Sequence, residues 1–302
     1  MTHDSHRRCR EPERKAVPLM PGNSASLLAF STLAFPDASL ATALSVGRSS
    51  GYDAIELRLV DGELIDPHQP AAARQEVKHT IATAGLPIIA VDSSIRLTEP
   101  GPESGRELRA FLELASDWEA PLIRVFGGAL PQADPDRAAA LRRAARVLEN
   151  TAGHAERLGV AIGVETHDSF AASATVAELL ALVESDWVGA VWDSHHPHRM
   201  GERPAEVYRN LGSRLLLAQV KDARRAPEHP DGWQLVLLGA GEVPVAEMIA
   251  LLTAHGYTGP VSVEWEKRWH PEIEPAEIAL PQHQALLRGW LDCTDSASSG
   301  PA

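Results

Sequence analysis

Gly159 to Phe170 reads GVAIGVETHDSF, and this stretch sets the architecture of the 302-residue chain. A short apolar run ends in Glu165, with His167 and Asp168 close behind. An apolar strand that carries an acid and an imidazole at its C-terminal tip is a strand that delivers chemistry there. Three later segments repeat the format: VGAVWDSHH ends its apolar run at Asp193, LLLAQVKD presents Gln219 to Asp222, and PVSVEWE presents Glu264.

Working outward, the pattern predicts strands over 26–31, 54–59, 86–92, 122–126, the opening stretch, 188–193, 215–221 and 261–264. Between them it predicts helices over 38–49, 71–84, 106–118, 134–158, 174–184, 204–211, 244–255 and 275–291. Gly85, Gly159 and Gly256 fit as the residues that end three of these helices. Asp134 is expected as an N-cap with Pro135 in the first turn, and Ser173 or Thr175 as the next cap. Residues 223–241 and the run HHPHRMG, His195 to Gly201, read as loops. Continuous apolar strands alternating with helices imply a parallel sheet covered by helices. Eight repeats in one chain of this length predict an α/β fold of the (β/α)8 barrel type, with functional groups at the C-terminal strand ends. Neither a Gly-x-Gly-x-x-Gly turn after an early strand nor a Gly-Lys-Ser/Thr loop argues for a nucleotide fold.

Composition narrows the setting. A formal net charge of −13 argues against generic nucleic-acid binding, which depends on neutralising phosphates. No run reaches the roughly 18 apolar residues of a membrane span. Cys9 and Cys293 alone argue against a disulfide framework or a zinc–thiolate site and favour a reducing cytoplasm. Residues 1–22 are polar and Arg-rich and read as a disordered tail, so that Met20 competes with Met1 as the start. A single barrel domain is expected over 23–293, followed by a small polar tail over 294–302. Barrels of this size often pair, which keeps a homodimer open.

Carboxylates at adjacent strand tips converge and repel, and a divalent cation is the usual reason to gather them. Glu165, Asp193 and Glu264 with the amide oxygen of Gln219 form an oxygen-donor set. Such a set suits Mn2+, with Mg2+, Co2+ and Zn2+ as alternatives. The competing expectation is a salt-bridged barrel mouth. His195 and His196 are adjacent and point apart, so one of them, not both, is expected near a ligand. Lys221 shares a strand face with Gln219, while Arg124, Glu56 and Arg58 fall at inward or rim positions. Arg224 and Arg225 follow the seventh strand. Trp192 and Trp265 alternate outward and should pack on helices, leaving Trp233 and Trp269 as stacking candidates.

The ordered run of IELR, IRVFGG, GVETH, WDSHH, QVKD and SVEWE resembles the xylose-isomerase-like TIM barrels. That superfamily includes sugar phosphate isomerases and epimerases, ketose 3-epimerases, inosose dehydratases and, more distantly, endonuclease IV. In the epimerase branch Glu, Asp, His and Glu hold the metal, which implies Glu165, Asp193, Gln219 and Glu264 here. Gln219 departs from the usual His, and Ala171 stands where the epimerases carry a second Glu. The resemblance implies isomerisation or epimerisation of a sugar or sugar-like polyhydroxy carbonyl compound by proton transfer through a metal-stabilised enediolate. Glu165 and Glu264 would carry protons, and His196, Arg225, Lys221, His167, Arg124, Glu56 and Arg58 would surround the carbohydrate. A dehydratase or β-eliminating lyase uses the same ligands, and a non-catalytic sugar-binding barrel is the alternative of a different class. The trinuclear zinc site of endonuclease IV would need further His ligands at strand ends that this chain lacks.

Overall fold

The computed structural model describes residues 26–99, 101 and 103–298, with side chains to residue 292. The expected tail over 1–22, with Cys9, and residues 299–302 lie outside the described residues. Eight parallel strands close into a barrel: β1 (Leu28–Ser31), β2 (Ala54–Leu57), β3 (Ile88–Arg96), β4 (Leu122–Phe126), β5 (Ala161–Glu165), β6 (Val188–Asp193), β7 (Leu215–Val220) and β8 (Val261–Val263). Each strand pairs with its neighbour in chain order, and closure comes from Leu28, Ala29 and Phe30 beside Val261, Ser262 and Val263.

The period of two sorts the side chains. Outward residues such as Phe30, Ile55, Ile123, Ile162, Trp192 and Val220 join the large core between strands and helices. Inward residues Ala29, Ala54, Leu122, Ala161 and Leu217 belong to a small second cluster. One step further along the same strands the inward positions turn polar: Glu56, Asp92, Arg124 and Gln219, then Glu165 and Asp193. The barrel is thus apolar at its base and charged toward the C-terminal ends.

The helices follow from apolar spacing of three and four. In α3 (Glu103–Asp117) the buried face is Leu108, Phe111, Leu112 and Ala115. In α4 (Asp136–Leu158) it runs through Leu141, Ala144, Ala145, Leu148, Ala152 and Ala155. Gly85 and Gly159 close α2 (Ala71–Ala84) and α4 with φ of 68° and 69°, where a side chain would be strained. Trp192 and Trp265 pack outward as expected. The Trp265 indole donates to the Glu274 carbonyl at 2.8 Å and meets His283 of α9 (Ala276–Ser298) edge-on.

Several local expectations fail for identifiable reasons. Asp134 does not cap α4: Pro135 takes the N-cap position, and Asp136 supplies the first-turn carboxylate that complements the helix dipole. Neither Ser173 nor Thr175 caps α5 (Ser173–Leu180), because the Ser173 N–H is accepted by Glu202 at 2.9 Å from a distant loop. Within 223–241 the chain forms a hairpin, pairing Asp222–Arg225 with Trp233–Val236. HHPHR is a short helix, α6 (His195–Arg199), because the Asp193 carboxylate accepts the N–H groups of His195 and His196 at 2.8 and 3.0 Å. The final helix, α9, runs to Ser298.

Candidate active site

Glu165 and Asp193 end β5 and β6, Gln219 lies near the end of β7, and Glu264 follows β8. Register aligns them: Asp193 lies opposite Gln219, which lies opposite Ser262. One carboxylate oxygen each from Glu165, Asp193 and Glu264 lie within 4.8 Å of one another, and all three residues are buried. Gln219 is fully buried. Its Nε2 donates to Glu56 Oε1 at 2.8 Å, while its Oε1 has no hydrogen-bond partner among the described residues. Fixing the amide nitrogen on Glu56 leaves the oxygen as the free donor atom, which is the end a cation requires. The residues therefore fit an oxygen-seeking divalent ion.

Cationic side chains lock this layer. Arg124 Nε is 2.9 Å from Glu165, and its Nη2 is 3.3 Å from Asp92. Lys221 Nζ is 2.7 Å from Glu264 and 3.0 Å from Asp193, and it also contacts Glu266. Arg58 donates to the Asp92 carbonyl and to Ser94 at 3.2 and 2.9 Å. The backbone is laced as well: the Ser194 hydroxyl accepts the Lys221 N–H at 3.0 Å and donates to the Lys221 carbonyl at 2.9 Å.

Electrostatics reflect crowding. Burial, reinforced by nearby carboxylates, pushes Glu264 and Glu56 well above the ordinary carboxylate range. Burial also raises Glu165, with Arg124 opposing it. Burial alone would lower Lys221, yet Asp193, Glu264 and Glu266 hold it well above the usual amine value. Burial pushes His195 down to about 4 and His196 well below the usual imidazole range, with Lys221 adding to both. Both imidazoles are neutral at pH 7.

A second group forms the wall beside Glu165. His167 Nδ1 is 3.0 Å from Asp168, which Arg96 approaches at 3.4 Å. The His167 ring packs on Phe126 at 4.4 Å and meets His196 edge-on at 4.6 Å. Thus His167 and His196 are brought together with the ligand candidates, as are Lys221, Arg124 and Glu56. Arg58 is one connection further out, through Asp92. Arg225 is not drawn in: its side chain is 75% exposed, stacks on Trp233 at 5.1 Å and lies 3.9 Å from Glu242. Trp233, expected as a loop residue free to stack, is buried in the hairpin beside His195 and His198. Trp269 is 49% exposed.

Sequence reasoning assigned no role to three contributors. Asp92 ends the apolar run LPIIAVD in the same format as Asp193, so its signal was present. Glu266 lies two residues after Glu264, and the same alternation points to it. Asp222 accepts N–H groups from Gly239, Gly241 and Val243 at 2.9, 2.9 and 3.1 Å, which fixes the loop after the hairpin. A Cβ on Gly241 would come within 2.1 Å of that carboxylate, so only glycine fits.

Comparison with known proteins agrees with this architecture. An inosose isomerase from Halalkalibacterium halodurans is 23% identical over 235 residues, covering 71% of this chain and 78% of that protein. The structure of an L-ribulose 3-epimerase superposes with a TM-score of 0.72 at 17% identity, over 90% of this chain and 97% of the other. A probable 3-DHS dehydratase, AsbF, from Bacillus anthracis gives 0.70 at 16% identity, over 87% and 98%. At these identities the structural likenesses establish the fold alone. The family profile described as xylose isomerase-like TIM barrel matches residues 44–289, which is most of the closed barrel and all of its charged rim, and the chain belongs to that family.

Proposed function

We propose that this protein is a divalent-metal-dependent isomerase or epimerase of a sugar or sugar-like polyhydroxy carbonyl compound. The observation that carries the proposal is the convergence of buried oxygen donors: one carboxylate oxygen each of Glu165, Asp193 and Glu264 lie within 4.8 Å of one another. Beside them Gln219 keeps its Oε1 without a hydrogen-bond partner among the described residues, while its Nε2 is held by Glu56. Gathering buried carboxylates in this way is costly unless a cation joins them. Glu165, Asp193, Gln219 and Glu264 would hold it, with Mn2+ or Mg2+ favoured by the all-oxygen set.

When bound, such an ion supplies Lewis acidity to a carbonyl and its neighbouring hydroxyl, which acidifies the C–H between them. Glu165 and Glu264, from β5 and from the end of β8, take and return that proton. Arg124 and Lys221 hold these two carboxylates in place at 2.9 and 2.7 Å. His196, neutral and buried, and His167, backed by Asp168, orient hydroxyls at the wall. Arg225, on Trp233, is an outer contact for incoming substrate. The family and the likeness to ketose epimerases support carbohydrate as the substrate class.

A second outcome of the same chemistry is loss of a β-hydroxyl. Ala171 supplies no second carboxylate beyond Glu165, while the His167–His196 pair offers an imidazole acid and base on one wall. The likeness to a probable dehydratase is consistent with that outcome. Incubating metal-loaded protein with ketoses, inososes and 3-keto-glycosides in heavy water separates the two. Deuterium in a stereoisomer supports epimerisation, and release of water or aglycone supports elimination. Glu165→Gln is the control: a variant with full metal content and full activity refutes the assignment.

A further inference from the structure

Outside the barrel mouth, α3 and α4 flank an open groove of about 430 Å³, a volume in the range of small-ligand sites. Its walls carry four guanidinium groups, Arg106 and Arg109 from α3 and Arg143 and Arg146 from α4, against one carboxylate, Glu99. In a chain of net charge −13 this is a local reversal of sign. Leu97 and Val147 form apolar lining.

The arginines are largely uncompensated. Arg106 pairs with Glu103, and Arg109 donates to the Asn150 carbonyl at 2.7 Å. Among the described residues, Arg109, Arg143 and Arg146 have no carboxylate partner. All four arginines are exposed, so solvent screens their mutual repulsion, and an anion seated between them is attracted by several guanidinium groups at once. Guanidinium groups are planar forks that match phosphate and carboxylate oxygens two at a time. A concave site with an apolar lining selects a compact ligand over a flat macromolecular surface.

We infer that the α3–α4 groove binds a small polyanion, carrying phosphate or carboxylate groups, through Arg109, Arg143 and Arg146. The groove is separate from the proposed catalytic layer but adjoins it in sequence. Leu97 directly follows Arg96, whose Nε approaches the Asp168 that backs His167. The inference does not depend on which reaction the barrel catalyses.

The test is calorimetric titration of the protein as purified with inorganic phosphate and, separately, with tricarballylate at low salt. Saturable binding of either anion to wild type is expected. In the R143S/R146S double variant it weakens at least about tenfold, the loss expected when charge-assisted contacts are removed. Arg142→Ser, an exposed α4 position outside the groove, leaves it unchanged. Whichever anion binds more tightly identifies the phosphate or the carboxylate source. Phenylglyoxal modification of wild type, read by peptide mass spectrometry, needs no variant: the bound anion slows labelling of Arg143 and Arg146. Absence of saturable binding, equal binding by the double variant, or unprotected arginines overturns the inference.

Discussion

Replacing Lys221 by Met tests the electrostatic reasoning most directly. The Lys221 ammonium is 2.7 Å from Glu264 and 3.0 Å from Asp193, touches Glu266, and is 1% exposed. At an effective dielectric near 20, one such contact carries about 4 kcal/mol of Coulomb energy, partly offset by the cost of desolvating the ammonium. Removing one partner of a buried ion cluster costs about 3–5 kcal/mol, because the remaining charges stay buried and uncompensated. For a domain of this size that corresponds to a fall in Tm of roughly 6–20 °C in metal-free protein. The same substitution removes a positive charge beside two of the proposed ligands, so Mn2+ should bind about tenfold more tightly or better, a gain near 1.4 kcal/mol. Added Mn2+ should then recover much of the lost Tm by mass action. Thermal unfolding with and without Mn2+, with free Mn2+ read by electron paramagnetic resonance, measures both effects. Lys221→Arg, which keeps the charge, serves as control. Unchanged metal-free Tm together with unchanged or weaker Mn2+ binding would refute the picture of Lys221 as the counter-charge of this site.

Three further outcomes are expected. Gln219→His should shift metal preference from Mn2+ and Mg2+ toward Zn2+ and Co2+, because an imidazole replaces an amide oxygen; competition between metal pairs measures it. Asp222→Asn should loosen the loop over 239–243, costing roughly 2–3 kcal/mol for the weakened bonds to three N–H groups, and hydrogen exchange at Gly239, Gly241 and Val243 should accelerate. His283→Phe tests pH dependence. Burial holds His283 down to about 4, below its ordinary 6.5, so the unfolded chain takes up a proton that the folded chain refuses. Stability from this residue is full above about pH 6.5 and is lost as pH falls toward 4, by roughly 3 kcal/mol; the variant should remove that slope from the wild-type curve.

Much of this molecule is legible before folding. The eight apolar runs and the helical spacing between them predict the barrel. The same period of two that pairs Val164 outward with Glu165 inward predicts which acids reach its mouth. Those features are local, and backbone geometry fixes them within a few residues. Helix caps were less legible where the chain solved them at a distance, as when Glu202 accepts the Ser173 N–H. Asp92, at the end of LPIIAVD, and Glu266, the last residue of SVEWE, carried the same strand-end signal without a role being assigned to them.

What the sequence determines by itself is therefore the alternation, the inward face of each strand, and the list of acids at the tips. Only tertiary structure decided how those charges are partnered. Gln219 turns its amide nitrogen to Glu56, 163 residues away, and so presents its oxygen. Lys221 enters the carboxylate cluster, Arg124 bridges Asp92 to Glu165, and Arg225 turns aside onto Trp233. These choices follow from barrel closure, which sets distances between strands far apart in sequence. In a buried site an ångström of separation decides whether two charges repel, pair or share an ion.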